Sequence, residues 1–453
     1  MRVLVIAQTN QLLPEALKRF EEIYGSGLVQ LEIASDDVAP ERLQTADVIV
    51  AYFLSSFNEQ RLTEAVLAAR ARGALILVAP ADAGQRHWEL KVDRAINDPV
   101  VRYWDHGGVD NMTAFLAHVY SVAGGSKKLR VPPPVPQIDR GIYHPRAATP
   151  FPTLRDYLAW YTAQKIVPPG APMVGLAFFS TSWKFHDLDH IHTFISAFEK
   201  RGIGVVAAFD WPLGAMEDLL AVDGVSPLRT LFALNQSMAS RPEDPVLLQK
   251  MGVHTINLMA TRQSQKEWEA DDRGLPLDRV RNLLDLPESA GVSEPILFAT
   301  FEPVTGLDSR VSRAVPERVE ALVRRAERWI ALQETPNRDK RLAFIYYNNP
   351  PGKGNVGASY LSVYPTLKNV LARLQHEGYT TGTVLPDERR LTELLEANGR
   401  NMELWAPGEL QDMVARGAVT LVSLAQYKAW FATLPKRYRD ATVARWGRPE
   451  DAT

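Results

Sequence analysis

Cysteine is absent from all 453 residues. Disulfides, iron–sulfur clusters and thiolate metal sites are therefore excluded. No apolar run approaches the roughly 18 residues of a membrane-spanning helix. The N-terminal run, Val3 to Ala7, is too short for a secretory leader and lacks a small-residue cleavage site, so it reads as a first strand. Charge of one sign is also missing. Fifty-one Lys and Arg against 53 Asp and Glu give no reason to expect a nucleic-acid partner. Neither a Ser/His/Asp arrangement nor a carboxylate pair can be assigned from spacing. A cytoplasmic protein without a membrane span is the expectation.

What is present is ordinary globular material, 46% apolar and 23% charged. Single cores rarely grow past ~250 residues, so the length suggests about three domains. Short apolar runs at Val3–Ala7, Val29–Ile33, Asp47–Tyr52 and Ala74–Ala79 alternate with helical patterns at Leu13–Ile23 and Asn58–Arg72. That alternation predicts an α/β fold with doubly wound parallel sheets. The strand ends carry Ser55, Ser56, Pro80 and Asp82, where such sheets place ligands. A first domain over 1–125 gives way to a proline-rich linker over 126–172, read as a semi-rigid spacer. A second α/β domain spans 173–335. It has predicted strands at Met173–Phe179, Ile203–Phe209, Val253–Leu258 and Ile296–Ala299, and helices at Leu188–Arg201 and Pro316–Leu332. A third block, 336–453, predicts strands from Arg341, at Thr380–Leu385 and at Val419–Val422, then a helical tail over Gln426–Trp446. This block reads as an incomplete domain.

Histidines offer the first candidate chemistry. His186, His190 and His192 form H-x3-H-x-H, with Asp187 and Asp189 between them. On a helix, His186 and His190 share a face at a spacing a metal could use, while His192 points elsewhere. A solvated helix start with two aspartates complementing the dipole explains the same residues and is the plainer reading. Trp104-Asp105-His106-Gly107-Gly108 reads either as a loop mouth or as a loop before a helix capped by Asp110 and Asn111. His144, in Gly141-Ile142-Tyr143-His144-Pro145, is read as a loop anchor.

The most informative stretch is Asn348 to Gly357, with two asparagines before Pro350-Pro351, then Gly352, Lys353, Gly354, Asn355 and Gly357. It lies between a predicted strand and a predicted amphipathic helix. A purely structural turn needs far fewer special residues, so the loop is read as presenting N–H and amide groups to a ligand. Its glycines match G-x-G-x-x-G, the dinucleotide fingerprint. Two prolines precede the first glycine, however, and the acidic candidate Asp387 lies too far along the chain. Lys353 is followed by Gly354, which breaks the Walker pattern. A nucleotide-binding oxidoreductase is thus the last-ranked reading.

With its flanking strand and helix, this loop resembles the CobN/magnesium chelatase large-subunit family. Further pieces follow in order: Gly141–Pro145, Val174-Gly175-Leu176, Phe198 to Ile203, Pro303 to Gly306, Tyr427 to Pro435, and Arg445-Trp446-Gly447-Arg448-Pro449. The resemblance covers roughly the whole chain and is weakest before Trp104. It implies a subunit that works with ATPase motor partners. The implied reaction is ATP-dependent insertion of cobalt into a corrinoid precursor, in cobalamin biosynthesis, or of magnesium into a porphyrin. Cobalt is the default between the two metals. Asn348, Asn349, Lys353, Gly354, Asn355 and Tyr360 are then the expected substrate contacts, since a flat, carboxylate-rimmed tetrapyrrole suits donors between aromatic walls.

The family's large subunits are more than twice this length. Their His- and Gly-rich catalytic segment has no counterpart here, so no catalytic residue is assigned. No cofactor is assigned to the chain beyond the tetrapyrrole and the divalent metal as substrates. The expectation is a truncated chain, a split gene with a separate C-terminal half, or a short non-catalytic relative that binds or carries tetrapyrroles.

Overall fold

Alternating buried strands and amphipathic helices build two sheets in the first three-quarters of the chain. The computed structural model describes residues 1–7, 11–35, 38–52, 56–79, 92–234, 241–274, 280–304, 310–345, 361–382, 384–398 and 408–451. The chain divides into two compact units, Met1–Gln333 and Glu334–Thr453.

The first sheet has four parallel strands in the order β2-β1-β3-β4: β1 (Arg2–Ile6), β2 (Gln30–Ala34), β3 (Val48–Ala51) and β4 (Leu75–Val78). All four residues of β3 are buried, as expected for a strand covered on both faces. Helix α1 (Leu12–Tyr24) turns Leu12, Leu13, Ala16 and Phe20 inward at three- and four-residue spacing. Helices α2 (Ser56–Ala71), α3 (Arg94–His106) and α4 (Gly108–Val122) complete the layer. One core joins α1, α3 and α4 through Phe20, Tyr103, Trp104 and Phe115.

The second sheet has seven strands in the order β11-β10-β9-β8-β6-β7-β5. These are β5 (Gly141–Tyr143), β6 (Met173–Phe178), β7 (Gly204–Phe209), β8 (Leu228–Leu234), β9 (His254–Ala260), β10 (Ser293–Pro303) and β11 (Arg310–Ala314). The inner strands run parallel and the two edge strands antiparallel. Helices α5 (Leu154–Gln164), α6 (Ser180–Lys184), α7 (Asp189–Glu199) and α8 (Pro316–Glu334) belong to this half. The α/β class with parallel sheets, expected from alternation alone, is the observed class.

Within the proline-rich stretch the chain forms β5 and α5 and is held by specific bonds. The Tyr103 hydroxyl donates to the Pro132 carbonyl at 2.5 Å. Asn111 brackets Val135, donating to its carbonyl at 2.8 Å and accepting from its N–H at 2.9 Å. Asn111 is therefore a buried staple, and Gly107 occupies the start of α4.

The second unit departs from expectation. No strand occurs among its described residues, so the strands predicted from Arg341, at Thr380–Leu385 and at Val419–Val422 are corrected. An apolar run becomes a strand only with a ladder partner, and the described part of this unit supplies none. Helices α9 (Val363–His376), α10 (Glu388–Asn398), α11 (Glu409–Ala415), α12 (Leu424–Ala432) and α13 (Lys436–Trp446) are present. The expected single tail helix is split at Pro435, whose missing N–H cannot continue a helix.

Candidate functional site

In parallel α/β sheets ligands sit beyond the carboxyl ends of the strands. Here the carboxyl ends of the first sheet meet residues 179–188, the segment leaving β6. Tyr52, just past β3, stacks on Trp104 with ring centres 5.2 Å apart and planes 25° apart. Both rings contact Phe185, at 6.3 and 5.7 Å. Desolvation raises the Tyr52 phenol to about 12, so it stays a neutral hydroxyl. Gly107 closes the seam. A Cβ built there would lie 2.6 Å from the Lys184 carbonyl oxygen.

Asp187 ties three chain segments together. Its Oδ1 accepts from Gln11 Nε2 at 2.9 Å and from the Ser312 N–H at 3.1 Å. Its Oδ2 accepts from the Ser312 hydroxyl at 2.5 Å. The loop beyond β1, the loop beyond β6 and the edge strand β11 thus share one buried carboxylate. Asp189, two residues on, pairs with Arg313 of the same edge strand.

The three histidines are dispersed rather than gathered. His186 is exposed and adopts a left-handed backbone, φ 54°. His190 is buried against Phe298, and its Nδ1 has no hydrogen-bond partner among the described residues. Burial lowers its pKa and outweighs the opposing pull of Asp187 and Asp189. His192 lies 2.5 Å from the Tyr143 hydroxyl, and the two rings stack. Burial pushes Tyr143 up to about 12 and His192 down, so the phenol donates to a neutral Nε2. Among the described residues no group of three or more His, Asp or Glu side chains could hold a metal ion.

His144 anchors the β5 turn, as its sequence context predicts. Its Nδ1 accepts from the Arg146 N–H at 3.1 Å, which leaves Nε2–H to donate to Glu199 at 2.9 Å. The Tyr161 hydroxyl donates to the same carboxylate oxygen at 2.8 Å. Trp104 is a core residue rather than a loop-mouth aromatic.

Around the second sheet's carboxyl rim stand aromatic and polar groups that spacing did not single out. Trp183 packs on Phe209 and Tyr143, with ring centres 5.8 and 5.5 Å away. Trp211, just beyond β7, is exposed and carries the Arg241 guanidinium 4.7 Å from its ring centre. Asp210 accepts from Arg140 Nε at 2.8 Å. Glu302 accepts from the Gln265 N–H and the Thr300 hydroxyl, each at 2.7 Å. Arg140 with Asp210, and the Gln265 N–H with Glu302, are committed to one another, so what this rim presents outward is the exposed Trp211 with the Arg241 guanidinium over its ring. The rim offers no ready metal cage. The loop residues Asn348, Asn349, Lys353, Gly354, Asn355 and Tyr360 lie outside the described residues, as do Ser55, Pro80 and Asp82. No helix among the described residues is long and apolar enough to cross a membrane.

Comparison with known proteins places this fold. Residues 101–453 match the family model described as CobN/Magnesium Chelatase. The magnesium-chelatase subunit ChlH of rice (Oryza sativa subsp. indica) is 33% identical over 310 residues, 63% of this chain and 22% of that protein. The aerobic cobaltochelatase subunit CobN of Pseudomonas aeruginosa is 26% identical over 411 residues, 85% of this chain and 31% of that protein. This chain therefore spans under a third of the length of either relative. The catalytic subunit of cobaltochelatase from Mycobacterium tuberculosis superposes with a TM-score of 0.59 at 17% identity, over 99% of this chain and 36% of that one. At that identity the likeness speaks for the fold alone. The family match covers most of the sequence, and this chain belongs to the CobN/magnesium chelatase family.

Proposed function

We propose that this chain is a tetrapyrrole-holding part of a metal chelatase large subunit. In the leading reading it serves ATP-dependent insertion of cobalt into a corrinoid precursor, in the cytoplasm, with ATP hydrolysed on separate motor subunits. The observation that carries the reading is the family match together with the loop it contains. Asn348, Asn349, Lys353, Gly354, Asn355 and Tyr360 would meet the macrocycle's edge groups, with Pro350 and Pro351 limiting the loop's freedom. A preorganised loop matters because ordering a residue on binding costs roughly 1–2 kcal/mol. The exposed Trp211 at the second sheet's carboxyl rim suits the same substrate class, since a flat ring can pack against an aromatic side chain.

One observation favours a second reading, insertion of magnesium into a porphyrin. The rice magnesium-chelatase subunit is 33% identical, against 26% for the Pseudomonas aeruginosa cobaltochelatase subunit. The cobaltochelatase match runs through more of this chain, 85% against 63%, and keeps cobalt first.

Absorbance titration of the purified chain with a metal-free corrinoid and a metal-free porphyrin tests both readings. Saturable spectral shifts are expected with one of them, and the tighter partner indicates the metal branch. Lys353→Ala should weaken that binding by about tenfold, the scale of one lost charge-assisted contact, with an unchanged melting temperature. Wild-type affinity in Lys353→Ala would move the site away from the loop. Saturation by NADH and by neither macrocycle would revive the nucleotide reading.

A further inference from the structure

Beyond the carboxyl ends of the second sheet, side chains from two different connections meet in the open. Trp211 lies two residues past β7, and Arg241 lies in the segment that follows β8. These strands flank β6 on its two sides, so the chain reverses its direction of winding there. Open α/β sheets hold ligands in the crevice at such a reversal. The Arg241 guanidinium stands 4.7 Å from the centre of the indole. Trp211 keeps 42% of its surface in water, and Arg241 is exposed too. Among the described residues no carboxylate pairs with that guanidinium. A cation–π contact this wet adds little to stability.

The backbone beneath both side chains is nevertheless fixed by charged groups. Asp210 accepts from the Trp211 N–H at 2.7 Å and from Arg140 Nε at 2.8 Å. Arg140 Nη2 donates in turn to the Ala215 carbonyl at 3.1 Å and to Asp218 at 2.7 Å. Asp244 is fully buried. Its Oδ1 takes the Gly214 N–H and its Oδ2 the Arg241 N–H, each at 2.6 Å. One carboxylate thus fastens the turn that follows Trp211 to the segment that carries Arg241. The two segments approach so closely that a Cβ built at Gly214 would lie 2.6 Å from Glu243 Cγ. Exposed side chains on two such fixed backbones make a preorganised binding point.

We propose that Trp211 and Arg241 form a clamp for a flat ring that carries an ionised carboxylate. The ring packs against the indole, and the guanidinium beside it donates to the carboxylate. Arginine suits both tasks, because its planar fork lies against aromatic faces and matches a carboxylate with two N–H bonds. The neighbouring charges favour a carboxylate over a polyphosphate. Asp210 precedes Trp211, and Glu243 and Asp244 follow Arg241 within three residues, so a polyanion meets more repulsion than a single charge. The inference rests on the tetrapyrrole reading and narrows it, since it gives the first unit its own hold on a carboxylate at the macrocycle's rim.

The test titrates the full chain with a metal-free porphyrin bearing two propionates, with the dimethyl ester of that porphyrin, and with ATP. The wild type should bind the diacid about tenfold more tightly than the ester. Arg241→Gln should bind the diacid only as well as the ester and leave ester affinity unchanged. Arg241→Lys, which keeps the charge and loses the fork, should fall between the two. Trp211→Leu should weaken diacid and ester alike, by about fivefold. All three positions of change are exposed, so circular dichroism and melting temperature should match the wild type. Wild-type diacid affinity in Arg241→Gln, or a wild type that favours the ester, would overturn the clamp and leave the tetrapyrrole reading standing. ATP binding that Arg241→Gln abolishes would assign the pair to nucleotides and overturn the clamp as well. Failure of the wild type to bind either porphyrin would remove the tetrapyrrole reading and the clamp together.

Discussion

At the scale of single residues, burial decides what each histidine can do. His144 has both ring nitrogens committed, to Arg146 and Glu199, and serves as a fixed strut. His192 is committed to Tyr143. His190 differs, being buried with Nδ1 unpartnered among the described residues. Its pKa is lowered from 6.5 chiefly by loss of water, with Asp187 and Asp189 opposing and His192 assisting. The sign follows. Below the unfolded value of 6.5 the unfolded chain binds a proton that the folded chain does not. Stability should therefore fall as the pH drops from 6.5 toward the lowered folded value, by at most about 1.4 kcal/mol per pH unit for this group. Urea unfolding at pH 7.5, 6.5 and 5.5, followed for the first unit, checks this. The variant His190→Leu should show a shallower acid slope than the wild type, and equal slopes would remove His190 as the cause. Sequence spacing could pair His186 with His190, but it could not see that one faces water and the other Phe298. Burial is a tertiary property, and it corrects the plain reading of a solvated helix start: Asp187 and His190 are buried, Asp187 is bonded to Gln11 and Ser312, and Asp189 is the acidic residue of the first turn of α7.

At the scale of elements, the parallel strands were legible because each is a short apolar run between helical patterns. The predicted Met173–Phe179 and Ile203–Phe209 lie within a residue or so of β6 and β7. The second sheet's edge strands were not legible. β11 reads RVSRA and β5 is three residues long, so neither carries a burial signature strong enough to stand alone. Strand β8 was passed over although its residues are nearly all buried, because Arg229 and Thr230 break its apolar run. The candidate loop is a reading of composition that lies outside the described residues, while the seam between the two sheets was not legible at all. That seam is made by residues distant in sequence, such as Gln11 and Ser312 meeting on Asp187. Gly107 is its tightest point. It has φ 63°, and an added Cβ would lie 2.6 Å from a backbone oxygen that cannot rotate away. Gly107→Ala should thus destabilise the first unit by more than about 2 kcal/mol, combining left-handed strain with a backbone clash. Gly73→Ala is the control. It also has positive φ, 97°, but a Cβ there meets nothing within 4 Å. Denaturant midpoints should rank Gly107→Ala clearly below Gly73→Ala, and equal losses would mean that the approach to Lys184 carries no weight.

At the scale of the whole molecule, the two units differ in how they are held, and this difference can be measured without any ligand. The first unit contains both sheets, and its cores are lined with side chains such as Phe178, Phe194, Phe209 and Phe298 that are fully removed from water. Each such side chain stabilises the fold by roughly 1.5–3 kcal/mol through burial. The second unit buries three apolar side chains among its described residues and contains no strand there. Local opening is governed by how many buried contacts must break, so the second unit should open at a lower free energy than the first. Proteases sample such openings. Limited trypsin digestion has cleavage points available at Arg338, Lys340 and Arg341, immediately beyond α8. The expected product is a resistant fragment that starts at Met1 and ends within this cluster, identified by intact mass, with the remainder degraded to short peptides. The same digestion repeated in moderate urea should leave the first fragment standing after the second unit is gone. Equal survival of both units, or first cleavage inside 141–333, would show that exposure of the second unit's apolar side chains does not translate into weaker local stability.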